Sequence, residues 1–265
     1  MNVGVIGAGR MGMPIVGHLA RKGFATAVFD VDAAKRAGVE ERGARWAAGV
    51  EQLAADSEVV LVCVGYDEEL RRLFPQLAAA ARKAAIHAVL STVHPRTVQD
   101  LASAAPPGVA VVDATMCRGG RAADEGTLLC FVGGEAPTVE RLRPVLSAFA
   151  SDIVHTGPAG SAQVAKAANN LVLWACLVAD HEALALASRF GLDVEKLRKA
   201  LLMSSAANDA LAKWGTQTMA WAEDDMAIIA EMAREHGLQL PQSEVTREIC
   251  RALKPRRYKL DDYGR

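Results

Sequence analysis

The sequence predicts an α/β domain with a parallel sheet, followed by an all-helical C-terminal domain. Three observations carry that reading. A short β-branched run at the N-terminus ends in a glycine turn that opens a helix. Strand-like and helix-like segments then alternate up to about residue 160. After Gly160 the strand pattern stops and only helical periodicity remains. Regular βα alternation places helices over a parallel sheet, with ligands at the carboxyl ends of its strands.

The opening stretch, Asn2 to Ile6, is apolar and β-branched. It runs directly into Gly7-Ala8-Gly9-Arg10-Met11-Gly12, a G-x-G-x-x-G turn, and then a helical pattern through Met13, Ile15, Val16 and Leu19. Strand, glycine turn and helix together form the context of a dinucleotide fingerprint, so the α/β domain is read as Rossmann-like. Gly7 allows the tight turn, Gly9 lets a pyrophosphate approach the backbone, and Gly12 lets helix and strand pack closely. The unpaired N–H groups of the new helix, including those at Arg10 and Met11, face the phosphates.

A second strand, Ala25 to Phe29, ends at Asp30, 18 residues after Gly12. A carboxylate at that offset accepts hydrogen bonds from the adenosine ribose and repels a 2′-phosphate, which favours NAD over NADP. Lys35 and Arg36 argue mildly the other way, and a helix N-cap is the plain alternative for Asp30. Further strands are read at 58–64, at 88–90 leading into Ser91-Thr92, and at 109–112 ending at Asp113. Later ones are read at 128–132 and 152–154, with a helix at 68–85. Val64, Gly65, Ser91 and Thr92 therefore fall at strand ends, where a cofactor would lie.

Ser161 to Phe190 reads as one long helix ending at Gly191. Helical patterns continue at 194–203, 209–219, 225–236 and 243–253, so domains of 1–160 and 161–265 are expected. Lys166, Asn169 and Asn170 share one face of the long helix. An ammonium in that apolar setting suits proton transfer, and a nearby amide suits orientation of a substrate hydroxyl or carboxylate. A surface lysine is the competing reading.

At 265 residues, with 51% hydrophobic residues and a net charge of −1, the chain calls for neither nucleic acid nor an anionic membrane. No apolar run is read as long enough to span a bilayer, and a strand beginning at residue 2 leaves no room for a leader. The basic cluster 254–259 reads as a solvated tail. Five cysteines without metal spacing indicate thiols in a reducing cytoplasm, and no metal site is expected. His18 and His181 read as structural; His94 and His155 follow strands near the expected cleft. The apolar helix 161–190 calls for a partner subunit, giving a homodimer or higher oligomer.

Four segments resemble the β-hydroxyacid dehydrogenase family, which includes 3-hydroxyisobutyrate dehydrogenase and is more distantly similar to 6-phosphogluconate dehydrogenase and the imine reductases. They are Gly7 to Pro14, Ser91-Thr92-Val93, Asp113 to Leu128, and Gly157 through Lys166 to Asn170, the last resembling a G-x-x-G-x-x-x-x-x-K-x-x-N-N signature. The resemblance implies an NAD(P)-dependent oxidoreductase acting on a small hydroxy acid, with its active site between the two domains. It makes Lys166 the acid/base, Asn170 the substrate-orienting amide and Thr92 a contact near the nicotinamide ribose. Ser91, Thr92, Cys117, Arg118, Gly119 and Asn170 would hold the small carboxylate substrate.

The chain also departs from the family. Cys117-Arg118-Gly119 replaces the usual Ser-Gly-Gly, so Arg118 either clamps a carboxylate or points to solvent. Asp224 stands where members carry a cofactor-reaching lysine, and the stretch from Gly191 to Asp225 looks short. An imine reductase and a non-catalytic nucleotide-binding protein are the alternatives, with Lys166 arguing against the first.

Overall fold

A computed structural model describes residues 1–263. Two compact units divide inside one long helix, the first ending at Lys166 and the second beginning at Ala167.

The first unit opens with β1 (Asn2–Ile6), α1 (Gly12–Arg21), β2 (Ala25–Phe29), α2 (Arg36–Glu41), β3 (Arg45–Trp46), α3 (Val50–Asp56) and β4 (Val59–Val62). It continues with α4 (Asp67–Ala79), β5 (Ile86–Val89), α5 (Pro95–Ser103), β6 (Ala110–Cys117) and α6 (Gly119–Glu125). β7 (Leu128–Gly133), α7 (Ala136–Leu146) and β8 (Ala150–Gly157) complete the sheet, in the order β3-β2-β1-β4-β5-β6-β7-β8. Alternate residues of β4 enter separate cores: Val59 and Leu61 join Val3, Val5 and Ile86, whereas Val60 and Val62 join Leu53, Leu70 and Val98. Both faces of the strand are thus covered, which is why its sequence is continuously apolar rather than alternating.

Two features differ from the sequence reading. The sheet is not wholly parallel, because β6 and β7 pair antiparallel from Asp113↔Gly133 to Cys117↔Leu129. Only residues 118–127 separate these strands, fewer than the dozen or so that a parallel crossover requires. Asp113 is also not a strand end. β6 continues through Ala114, Thr115, Met116 and Cys117, so the Asp113 carboxylate lies wholly buried mid-strand.

Helix α8 (Ser161–Arg189) crosses the division between the units. It has 29 residues, and an 18-residue window within it has a mean hydropathy of 1.5, so it is long and apolar enough to cross a membrane by length and composition. That corrects the expectation of no such run. In the second unit it also buries Asn170, Asp180 and His181 and contributes Trp174, Leu177 and Val178 to the core. The remaining helices are α9 (Val194–Leu201), α10 (Asp209–Ala212), α11 (Ala222–Glu235) and α12 (Pro241–Leu253).

The basic cluster after α12 keeps Arg256, Arg257 and Lys259 exposed, but it is held to the second unit rather than trailing free. The backbone N–H of Tyr258 donates to Nε2 of buried His181 at 3.0 Å, and the two rings stack at 5.2 Å. Tyr263 donates from its hydroxyl to Glu182 at 3.0 Å. Two tyrosines thus anchor the segment that its charges alone would have left in water.

Candidate active site

The glycine turn is built around two close backbone approaches. Gly7 has φ +96°, and a Cβ there would lie 2.1 Å from the Cys63 carbonyl oxygen. A Cβ on Gly12 would lie 2.0 Å from the Gly7 carbonyl oxygen. Side chains are excluded at both positions by backbone that cannot move aside. Gly9 is different, since a Cβ there would meet no described atom within 4 Å. No side chain caps the start of α1 at Met11. An open glycine beside an uncapped helix N-terminus fits the pyrophosphate of a dinucleotide.

Asp30 closes the other side of this turn. Its Oδ2 accepts from the Ala8 N–H at 2.7 Å and from Lys35 Nζ at 2.9 Å, and its Oδ1 accepts from the Asp32 N–H at 2.9 Å. Burial pushes this carboxyl up, but the hydrogen bonds from Asp32, Lys35 and Ala8 outweigh it and hold the pKa below the ordinary value. Asp30 is not a helix N-cap; Asp32 takes that role, accepting from the Ala34 N–H at 3.1 Å. Arg36 pairs with Glu40 at 2.8 Å, so both nearby cations are engaged by carboxylates of the chain.

The next two strand ends are pinned together. Ser91 Oγ accepts from the Val64 N–H at 3.0 Å and donates to the Val64 carbonyl at 2.9 Å. The Gly65 N–H donates to Glu69 at 2.8 Å. Thr92 lies between two peptide groups held by one side chain. Gln163 Nε2 donates to the Ser91 carbonyl at 2.9 Å, and its Oε1 accepts from the Val93 N–H at 3.0 Å.

The start of α8 docks onto β6 through four hydrogen bonds. The Asp113 carboxylate accepts from the Gly160 N–H at 2.8 Å and the Gln163 N–H at 2.9 Å, capping the helix from a different element. Thr115 Oγ1 donates to the Ala162 carbonyl at 3.1 Å. Lys166 Nζ donates to the Met116 carbonyl at 2.7 Å. Burial raises the Asp113 pKa against the pull of those N–H donors. The docking places Lys166 beside the last residues of β6 and, through Gln163, ties it to the Thr92 loop. In the second unit Asn170 is 2% exposed and accepts from Asn169 Nδ2 at 3.0 Å.

Several candidate residues have other work. Arg118 adopts a left-handed φ of 81°, and its Nη1 meets the Thr127 carbonyl, Ser151 Oγ and, at 2.7 Å, Asp152 Oδ2. The carboxylate it clamps therefore belongs to its own chain. Cys117 is buried at the end of β6, and Gly119 begins α6 with φ +76°. The Arg10 side chain pairs with Asp124 rather than standing free over the phosphate turn. His94 caps α5, accepting from the Arg96 N–H at 3.2 Å, and His155 bonds the Gly134 carbonyl at 2.8 Å. Sequence reasoning missed Asp113 as a helix cap and Gln163 as a clamp. The available signal was a glutamine three residues before Lys166, at helical spacing from both Lys166 and Asn170.

A glycine-turn cradle at the carboxyl edge of an open α/β sheet defines a dinucleotide-binding protein. The sequence pattern of the NAD binding domain of 6-phosphogluconate dehydrogenase matches residues 2–157. That described as NAD-binding of NADP-dependent 3-hydroxyisobutyrate dehydrogenase matches residues 160–263. The 3-hydroxyisobutyrate dehydrogenase of Pseudomonas aeruginosa is 34% identical over 215 residues, covering 79% of this chain and 72% of the relative. An NAD-dependent L-serine dehydrogenase of the same organism is 31% identical over 213 residues, with the same coverages of 79% and 72%. The solved structure of Mycobacterium tuberculosis 3-hydroxyisobutyrate dehydrogenase with L-serine superposes with a TM-score of 0.88 at 25% identity, covering 96% of this chain and 94% of that one. The chain belongs to the β-hydroxyacid dehydrogenase family. It is an NAD(P)-dependent oxidoreductase of the 3-hydroxyisobutyrate dehydrogenase type.

Proposed function

We propose that the protein interconverts a small 3-hydroxy acid bearing a primary alcohol and the corresponding aldehyde acid, with Lys166 as general acid/base. The observation that carries this reading is the Lys166 ammonium, fixed by the Met116 carbonyl at 2.7 Å on the helix turn whose Gln163 holds the Thr92 loop. An ammonium has three N–H donors, so two remain for a substrate oxygen. In reduction the ammonium donates a proton to the developing alkoxide; in the oxidising direction the neutral amine of Lys166 takes the hydroxyl proton and becomes that ammonium. The bound nicotinamide supplies the hydride acceptor or donor. The chain's contribution is to orient, and Gly7, Gly9, Gly12 and the backbone at Arg10 and Met11 hold the pyrophosphate.

Asn170, one turn along α8, orients the substrate, while Thr92 and the Cys117–Gly119 turn flank its acid group. Ser91 supports them through Val64. The substrate class follows from the relatives' names, since 3-hydroxyisobutyrate and L-serine both place a primary alcohol two carbons from a carboxylate. Imine reduction is not proposed, because Lys166 is the residue that the related imine reductases typically replace.

NAD is the preferred cofactor on this reading. Asp30 follows β2, where this reading puts the adenosine ribose, while Lys35 and Arg36 are each engaged by a carboxylate, Lys35 by Asp30 itself. A second copy of the chain is proposed to cover α8, where Val172, Leu186 and Phe190 are 59%, 63% and 77% exposed. A cytoplasmic setting accords with five cysteines that form no disulfide among the described residues.

The decisive test is Lys166→Met with NAD and a panel of 3-hydroxy acids. Turnover is expected to vanish while NADH binding survives, and retained turnover removes the mechanism. In the unaltered enzyme, kcat/KM with NAD should exceed that with NADP by about tenfold or more. Light scattering should give a dimer or larger.

A further inference from the structure

We infer that Gln163 is a positioning residue, which holds the Ser91–Val93 cofactor loop and Lys166 in one rigid frame. The inference rests on the acid/base reading of Lys166. Gln163 is 2% exposed, and each polar atom of its carboxamide has a partner across the sheet edge. Its Oε1 accepts from the Val93 N–H, and its Nε2 donates to the Ser91 carbonyl. Its own backbone N–H is held by Asp113 Oδ2 at 2.9 Å. One residue thus fixes the peptide groups on either side of Thr92. It is itself fixed to β6, and it lies three positions before Lys166 on α8.

The chemistry of the clamp is specific. Accepting at one atom and donating at the next is natural to a carboxamide and impossible for a carboxylate. A protonated carboxyl restores both roles. The charged groups around this point are Asp113 from β6, Lys166 on the same helix and Asp67 of α4, which accepts from the His94 N–H beside Val93. Hydride transfer depends on distance, and a misplacement of about 1 Å costs on the order of 100-fold in rate.

The experiment compares Gln163→Ala and Gln163→Glu with the unaltered enzyme, using NAD and L-serine or 3-hydroxyisobutyrate as probes. It measures kcat, KM, NADH affinity by fluorescence, and amide exchange at Val93. Gln163→Ala should lower kcat by about 100-fold with a much smaller change in substrate KM, and Val93 should exchange faster. Gln163→Glu should be impaired near pH 8. Its deficit should shrink about tenfold on approaching pH 5.5, because burial favours the neutral carboxyl that rebuilds the clamp. A deficit that stays constant across this range in the folded variant overturns the inference, as does an unaltered kcat near pH 8. Turnover retained by Lys166→Met defeats the acid/base reading, whereas unchanged Val93 exchange and NADH affinity in Gln163→Ala defeat the clamp.

Discussion

The Arg10 guanidinium and the Asp124 carboxylate form a two-pronged pair, with Nη1 to Oδ1 at 2.8 Å and Nη2 to Oδ2 at 2.6 Å. The pair ties the glycine turn to α6, and the guanidinium lies so close over Gly120 that a Cβ there would be 2.6 Å from it. Both side chains are about half exposed, so the pair contributes little to stability, about 0–1 kcal/mol. Its consequence is for cofactor binding. Asp124→Asn should release a cation beside the phosphate cradle and tighten NADH by about threefold at low salt. The gain should vanish in an Arg10→Ala background. Fluorescence titration at two ionic strengths measures this, and weaker binding by Asp124→Asn contradicts it.

Two of the fingerprint glycines, Gly9 and Gly12, should separate fold from function. Gly12→Ala places a methyl 2.0 Å from a carbonyl oxygen and should cost several kcal/mol of stability, about 2–4 kcal/mol. Gly9→Ala meets no described atom within 4 Å, so its thermal midpoint should match that of the unaltered protein. Its methyl nevertheless stands where the pyrophosphate approaches, and NADH affinity should fall by about tenfold or more. Thermal melts and NADH titrations on the two variants check the contrast. A destabilised Gly9→Ala would show that the open face has been misread.

Most of the frame was legible because its signals are local. β1 and β2 have the predicted bounds, and α8 ends one residue before the predicted Phe190. A strand of two residues, such as β3, has no period to read. The antiparallel turn between β6 and β7 is a matter of connection length, not of residue pattern. In the candidate site the glycines announce themselves by spacing, whereas Lys166 is singled out by the family signature. Asp113 and Gln163 do not announce themselves, since their partners lie 47 to 72 residues away in sequence. The anchoring of residues 254–259 was not legible for the same reason, because Tyr258 finds His181 at a separation of 77.

Arg118→Gly discriminates between two roles for that side chain. The substitution removes a solvent-exposed ion pair with Asp152, which contributes little to stability. It also relieves a left-handed backbone, which costs a non-glycine residue about 1–2 kcal/mol. The thermal midpoint should therefore hold or rise slightly. Because the guanidinium is already bound to Thr127, Ser151 and Asp152, substrate KM should change by less than about twofold. A KM increase of about tenfold would restore the carboxylate-clamp role.

His87 should make the first unit acid-sensitive. It lies in β5 at 1% exposure, edge-on to Phe74 at 6.2 Å, and neither ring nitrogen has a partner among the described residues. Burial lowers its pKa to about 4, against about 6.5 in the unfolded chain. The unfolded state therefore binds the proton first as pH falls. The contribution of neutral His87 is complete above about pH 6.5 and declines as pH falls toward about 4, a loss of about 3 kcal/mol. His87→Leu keeps a similar volume and removes both unpaired nitrogens. It should be more stable than the unaltered protein by about 1–3 kcal/mol at neutral pH, and by more near pH 5. The acid slope should shrink without disappearing, because burial also lowers His181, whose Nε2 must stay unprotonated to accept from Tyr258. Urea melts at three pH values measure the slope. Parallel curves for the two proteins would place the acid sensitivity elsewhere.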